Sequence, residues 1–277
     1  MENTNKDKRH HLDSMLMRES LIDEQVMQST EKAETPTVRM LPYAHVIKVG
    51  SSSILDKGKS ATYPLVDEIV EVLKTEKLIM GTGGGARTKH VFSIGLDLGL
   101  PTGVLASIAP ADALGNAHIL GALLAPYGVV AIPPEMFGHL LPLFLHSAPG
   151  VIYNGVPPYS LWEHPPGISR IPPHRTDSGC FILSECFGCK SMIFVKDVDG
   201  VYDADPKVNS RANFIDEISA SELKKKNLDT LPFDRAILDV IEYNRLTTQF
   251  QIINGLKPEL LSAAVKGEHV GTIVHKD

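Results

Sequence analysis

The stretch Leu78-Ile79-Met80-Gly81-Thr82-Gly83-Gly84-Gly85-Ala86-Arg87-Thr88-Lys89-His90 decides how this chain folds. An apolar run of strand character delivers the backbone into a glycine cluster, and a helix-compatible segment carrying Arg87, Lys89 and His90 follows. Glycines let the main chain take positive φ and approach a ligand closely, while the free N–H groups and positive dipole end of the next helix face negative charge. A basic side chain just beyond adds full charge, so the guest this pattern suits is phosphate or another tetrahedral oxoanion. A glycine-rich strand-to-helix turn without a ligand has the same composition. The rest of the chain therefore has to arbitrate.

The 277 residues, 43% hydrophobic and 22% charged, are enough for one large α/β domain. No apolar run stands out as membrane-spanning, and the first residues, MENTNKDKRHH, lack a signal-peptide core, so a cytoplasmic location is expected. A net charge of −6 argues against a general nucleic-acid surface. The 3 cysteines make no secreted disulfide framework. Cys186 and Cys189 form a CxxC with no second pair at zinc spacing, and Gly188 between them reads as the C-cap of a helix. Residues 1–40 form a polar arm in which Leu12, Met15, Leu16, Ile22 and Val26 recur at helical spacing. So short a helix is marginal alone, so the arm is either a disordered tail or a segment that docks on a neighbouring subunit. Residues 41–277 are the folded domain.

From Val46 onward the pattern is regular. Strands are expected at Val46–Gly50, Lys77–Met80, Val129–Ile132, Val151–Tyr153, Met192–Lys196, Phe250–Ile253 and Thr272–Val274. Helices are expected at Tyr63–Lys74, Lys89–Leu98, Ala111–Leu124, Asp177–Cys186, Arg235–Leu246 and Pro258–Val265. This alternation predicts an α/β, three-layer αβα sandwich with a mostly parallel central sheet, in which ligands sit at the carboxyl ends of strands. The proline-rich stretch Pro157–Pro173 is neither helix nor central strand and reads as a long ordered loop.

Candidate site residues collect at the strand ends. Lys48 ends the first strand, and Gly50 and Ser51 open a Gly-Ser run of backbone and hydroxyl donors. Gly83, Gly84, Gly85 and Arg87 form the glycine loop. Thr176-Asp177 opens a helix, where Thr176 can act as N-cap and Asp177 as a favourable first-turn acid. Finally Lys196-Asp197-Val198-Asp199-Gly200-Val201-Tyr202-Asp203-Ala204-Asp205-Pro206 runs from a strand into an acidic loop. There Asp199 belongs to a tight turn, whereas Asp205, held extended by Pro206, is placed to meet a nucleotide or its cation. There is no GxxxxGK[ST], which excludes a P-loop.

Taken in order, Lys48–Ser52, Gly81–Gly85, Thr176-Asp177, Val198–Pro206 and Gly267–Thr272 resemble the motif series of the amino acid kinase family, in its uridylate-kinase-like branch, over about residues 42–275. Runs that extend these loops or lie outside them resemble the molybdenum-storing members of that branch: Thr82–His90, Val91–Pro101, Pro157-Pro158-Tyr159, Ile171–Arg175 and Gly267–Thr272. The resemblance implies ATP and Mg2+ bound by Lys48, Gly50, Ser51, the glycine loop with Arg87, and the Lys196, Asp197, Asp199, Gly200, Tyr202, Asp205, Pro206 segment. It further implies a homo- or hetero-oligomer, a hexamer built of this chain alone or with a second related subunit, that holds molybdate or tungstate as polyoxomolybdate-type clusters. The competing reading is a phosphotransferase of the family, acting on UMP or an amino acid, with Lys48 stabilising transferred charge and Asp177 orienting the cations.

The chain departs from the pattern at three places. Ser51 stands where the storing members have glycine, adding a side chain where backbone should approach phosphate. Ser160-Leu161-Trp162-Glu163-His164 replaces a histidine run. Asp197 stands where uridylate kinases prefer lysine, which tells against ordinary UMP phosphorylation. His139, His146, His164 and His174 crowd into one region and are the candidate cluster ligands, since imidazole binds transition metals and, protonated, oxoanions.

Overall fold

A computed structural model describes residues 36–159 and 162–277 of the chain, without side-chain detail at 138 and 139. The amphipathic stripe of the arm, Ser160 and Leu161 lie outside the described residues.

In chain order the elements are β1 (Ala44–Val49), α1 (Lys59–Leu73), β2 (Lys77–Thr82), α2 (Gly85–Asp97), α3 (Thr102–Ile108), α4 (Pro110–Leu124), β3 (Val130–Ala131), α5 (Phe137–Ser147) and β4 (Gly150–Tyr153). They continue with α6 (Thr176–Phe187), β5 (Ser191–Lys196), β6 (Val201–Tyr202), β7 (Phe214–Ile215), β8 (Glu217–Ser219), α7 (Ala220–Lys226), α8 (Ile237–Val240), β9 (Gln249–Asn254), α9 (Leu260–Val265) and β10 (Thr272–His275). Eight strands form one sheet in the order β3-β4-β2-β1-β5-β9-β10-β8, while β6 and β7 pair in a separate hairpin. Within the large sheet every pairing is parallel except β9 with β10.

The three layers follow from period-2 alternation along buried strands. In β5, Met192 and Phe194 join one core with Phe181 of α6, Leu141 of α5 and Ile237 of α8. Ile193 and Val195 join the opposite core with Ile69 of α1, Leu120 of α4 and Leu261 of α9. Both faces of the sheet are thus covered by helices, which is why its strands read as near-continuous apolar runs.

Sequence and structure differ at identifiable points. The helix expected over Arg235–Leu246 shrinks to α8 and a 3-10 turn, Ile241–Tyr243. The Glu185 carboxylate takes the N–H groups of Arg245, Leu246 and Thr247 at 2.8, 2.9 and 2.6 Å, which removes them from any helical ladder. Helices α3, α5 and α7 and the β6–β7 hairpin have no counterpart in the periodicity. The helical run Thr102–Tyr127, 26 residues with mean hydropathy 1.2 in its most apolar window, is long and apolar enough by composition to cross a membrane, contrary to the sequence reading. It is divided at Ala109 into α3 and α4, and Ala117, Leu120 and Leu124 are buried in the core beside β2 and β4. Gly188 does end α6 in the left-handed region, φ 60° and ψ 50°, so Cys186 and Cys189 mark a helix terminus.

The chain folds out of β1 into β2 on one side, whereas β1 meets β5 on the other. This reversal of strand order opens a crevice at the carboxyl ends of the strands.

Candidate functional site

The crevice is a cleft of about 410 Å³ floored by Lys48, Asp177 and Lys196. Lys48 lies near the end of β1 and Lys196 at the end of β5, and α6 brings Asp177 between them. Lys48 Nζ lies 2.7 Å from Asp177 Oδ1 and Lys196 Nζ donates to Oδ2 at 2.8 Å. All three side chains are over 90% buried. Two cations share one carboxylate, so the trio carries a net positive charge into a low-dielectric floor. Burial opposes ionisation of Asp177, but Lys196 and Lys48 outweigh it and hold the carboxyl well below its usual range. Burial also opposes the charge on Lys48, and Asp177 reverses that, leaving its pKa raised. For Lys196 burial wins, aided by repulsion from Lys48, and the pKa is lowered. Asp177 Oδ1, although next to Lys48, has no aligned hydrogen-bond donor.

The glycine loop closes one wall. Gly83, Gly84 and Gly85 line the cleft beside Gly50 and Ser51. The Ser51 hydroxyl accepts the Gly83 N–H at 2.9 Å and also donates to the Gly83 carbonyl. Asn116, buried beneath, donates to that same carbonyl at 2.7 Å. The Ala86 N–H, in the first turn of α2, is taken by Asp56 at 2.9 Å. A side chain at Gly85, which has φ +67°, would collide with that carboxylate. The chain therefore satisfies with its own Ser51 and Asp56 two N–H groups that the glycine pattern offers to an anion. Arg87 is not brought to the cleft. Its guanidinium turns beneath the loop to the Asn116 side-chain oxygen and borders a separate depression with Tyr63 and Leu123, while Lys89 and Thr88 line the cleft instead.

The acidic loop forms the opposite wall. Asp197, Gly200, Tyr202, Asp205 and Pro206 line the cleft. Asp197 is held by Lys207 at 2.9 Å and Lys57 at 3.4 Å, and these partners keep its carboxyl below the usual range against partial burial. Asp205 accepts the Lys207 N–H at 2.9 Å. Asp199 faces away from the cleft. It binds Lys257 at 2.7 Å and Asn254 at 2.9 Å, and so anchors the loop to β9.

The candidate histidines differ in setting. His146 and His164 are exposed, and His164 Nδ1 lies 3.2 Å from the Pro165 carbonyl. His174 lines the cleft and pairs with the buried Glu163 at 3.2 Å. The side chain of His139 lies outside the described residues. Among the described residues no group of three or more His, Cys, Asp or Glu side chains is placed to hold one metal ion.

The structure also adds residues that sequence reasoning missed. Asp234 enters from a distant loop, binds Arg175 at 2.7 Å and takes the Ser178 N–H and hydroxyl at the start of α6. It is 56 residues from Ser178 and no local pattern marks it. Phe92, Val156 and Pro172 add an apolar patch to the cleft. Glu163 and Arg175 sat inside quoted motifs, and only the fold shows what they touch.

A buried lysine pair at a strand-order reversal, a glycine loop and an acidic loop on one αβα sheet define a nucleotide-kinase type of fold. The amino acid kinase family model matches residues 45–254, and the chain belongs to that family. Along 263 residues it is 45% identical to the molybdenum storage protein subunit beta of Azotobacter vinelandii (strain DJ / ATCC BAA-1303), covering 95% of this chain and 96% of that protein. It is 30% identical to the uridylate kinase of Methanothermobacter thermautotrophicus, covering 83% of this chain and 97% of the other. The crystal structure of uridylate kinase from Archaeoglobus fulgidus superposes with a TM-score of 0.62 at 23% identity, covering 83% of this chain and 99% of that one, which shows the shared fold.

Proposed function

We propose that this chain is an ATP-binding subunit of an oligomeric store that holds molybdate or tungstate as polyoxometalate clusters. The observation that carries this reading is the 45% identity to a molybdenum storage protein subunit, which runs through nearly the whole of both chains and not the phosphate loops alone. The cleft supports it physically, because a net-positive buried floor favours oxoanions. The triphosphate would lie over Lys48 and Lys196 with Gly84 and Gly85 beside it, and the rest of the nucleotide would run along Gly200, Tyr202 and Asp205. The donor set suits a magnesium ion that arrives on the phosphates, with one carboxylate such as Asp177 or Asp205 behind it, rather than one caged by protein. When bound, that ion neutralises phosphate charge. Lys48 and Lys196 orient the phosphates, and Asp177 aims both lysines and favours the charge on Lys48. The surface histidines His146 and His164 would then meet cargo in a cavity between subunits.

The test is incubation with ATP, magnesium and molybdate, then desalting and elemental analysis. Retained molybdenum that depends on ATP is the expected result. Molybdenum equal to an ATP-free control, with rapid UDP formation when UMP is supplied, would transfer the assignment to a nucleotide kinase, in keeping with the 30% identity to a uridylate kinase.

A further inference from the structure

We infer that Arg87 is a positioning residue of the anion site: acting through Asn116 from behind the glycine loop, it decides which face of the Gly83–Gly84 peptide is turned to the cleft. The inference rests on the cleft being an oxyanion site, as proposed above. Arg87 calls for an explanation because it stands in the first turn of α2, a helix with no acid of its own there, where a cation opposes the helix dipole. It does not line the cleft. It borders the depression on the far side of the loop, together with Asn116.

Every link from Arg87 to the loop has a direction. A guanidinium only donates, so the oxygen end of the Asn116 amide has to face Arg87. The nitrogen end then faces the loop and donates to the Gly83 carbonyl at 2.7 Å. Ser51 also bonds that carbonyl and the Gly83 N–H, but a hydroxyl both donates and accepts and so selects neither. The selection matters because the Gly83 carbonyl and the Gly84 N–H belong to one trans peptide and point in opposite directions. With the carbonyl drawn to Asn116, the Gly84 N–H is directed away from Asn116. Gly84 lines the cleft, and no acceptor among the described residues takes its N–H. Adjacent glycines can turn the peptide between them over without a side-chain clash, and the reversed peptide would present a carbonyl oxygen, which repels an anion. Asn116 is 2% exposed, so without Arg87 its oxygen is a buried acceptor with no donor, and the amide loses the partner that fixes it.

The experiment measures binding of ATP and of inorganic tripolyphosphate, both with magnesium, by calorimetry on wild type, Arg87→Ala, Asn116→Ala and the double variant, with thermal midpoints taken in parallel. Loss of one positioning hydrogen bond predicts that Arg87→Ala weakens both probes alike, by about threefold to tenfold. Because Arg87 acts through Asn116, adding Arg87→Ala to Asn116→Ala should weaken binding by a further factor of less than about two. Should Asn116→Ala fail to fold, Asn116→Ser, whose side chain is too short to span from Arg87 to Gly83, takes its place in the cycle. Arg87 is exposed, so Arg87→Ala should melt near wild type while binding more weakly. Weaker binding with a collapsed midpoint would make it a residue of stability and overturn the inference. It is also overturned if Arg87→Ala leaves both affinities unchanged, if the two single losses simply add, as for a charge acting through space, or if ATP weakens while tripolyphosphate does not. Wild-type protein that binds neither probe would instead refute the proposed function, and this inference with it.

Discussion

The two walls of the cleft floor solve the same problem in opposite ways. On the glycine side the backbone is tied up by the chain's own groups: Ser51 and Asn116 hold Gly83, and Asp56 holds Ala86. On the lysine side charge is left over, because two ammonium groups contact one carboxylate, Asp177, and the nearby Asp234 is paired with Arg175. A loop that satisfies itself keeps its shape without a ligand. A floor with surplus charge is held by burial and supplies the attraction. Specific contacts should therefore be lost cheaply from the first region and expensively from the second.

The largest effect expected is from Asp177→Ala, which leaves Lys48 and Lys196 buried with no carboxylate in contact, since Asp234 acts on them only from further away and is paired with Arg175. Removing one partner from a buried ionic cluster costs about 3–5 kcal/mol, so urea denaturation should show a loss on that scale or an unfolded protein. A variant as stable as wild type would mean that water reaches the lysines and that the floor is not a strongly charged, buried region.

Next comes Lys48→Ala. It removes charge from the site while Asp177 keeps Lys196, so the fold should survive and ATP affinity should fall by about tenfold or more in calorimetry. Unchanged affinity would remove the floor from the phosphate site altogether.

A smaller contrast separates two acids of the opposite loop. Asp205→Asn should weaken ATP by a few-fold and shift its magnesium dependence, because Asp205 lines the cleft. Asp199→Asn should chiefly lower the thermal midpoint, because Asp199 ties the loop to Lys257 and Asn254. Equal affinity losses in both would erase the distinction.

The smallest effect lies at the far end of the same strand, where His45 is buried against Ser191 and Glu76. Burial, followed by repulsion from Lys190 and partly offset by Glu76, lowers the His45 pKa from its ordinary value of 6.5. The unfolded chain therefore binds a proton more readily than the folded one. Stability from this group is present above pH 6.5 and is lost as pH falls below it. Melting curves between pH 7.5 and 5.5 should show a decline that His45→Gln reduces, with ATP affinity at neutral pH unaltered by that variant. A loss of affinity would couple the two ends of β1 in a way the structure does not suggest.

Much of this was legible in the sequence because it is local. Period-2 runs and glycine punctuation expose β1, β2, β5 and β9, and strand ends announce Lys48 and Lys196. What was hidden depends on distance or direction. Arg87 stands in the right motif, but helix phase turns it to Asn116, beneath the loop. Asp234 reaches α6 from 56 residues away with no local pattern to mark it. The hydrogen bonds of Ser51 exist only once β1 and β2 lie side by side, so the sequence could register the lost glycine and not the gained hydroxyl. Glu185 stops a helix whose own residues favour continuation, since three N–H groups are drawn to one carboxylate.

The seam between β1 and β5 also governs the order in which the molecule can be made. His45 and Ser191, which face each other across it, are 146 residues apart, so during synthesis β1 waits with one edge open until β5 emerges. Such distant pairing is slow, and an open apolar edge invites association with other nascent chains. Until then Lys48 has neither Asp177 nor Lys196 beside it, and the anion floor does not exist. The floor cannot form before β5 has emerged, so an anion can engage it only after the chain from β1 to β5 has come together.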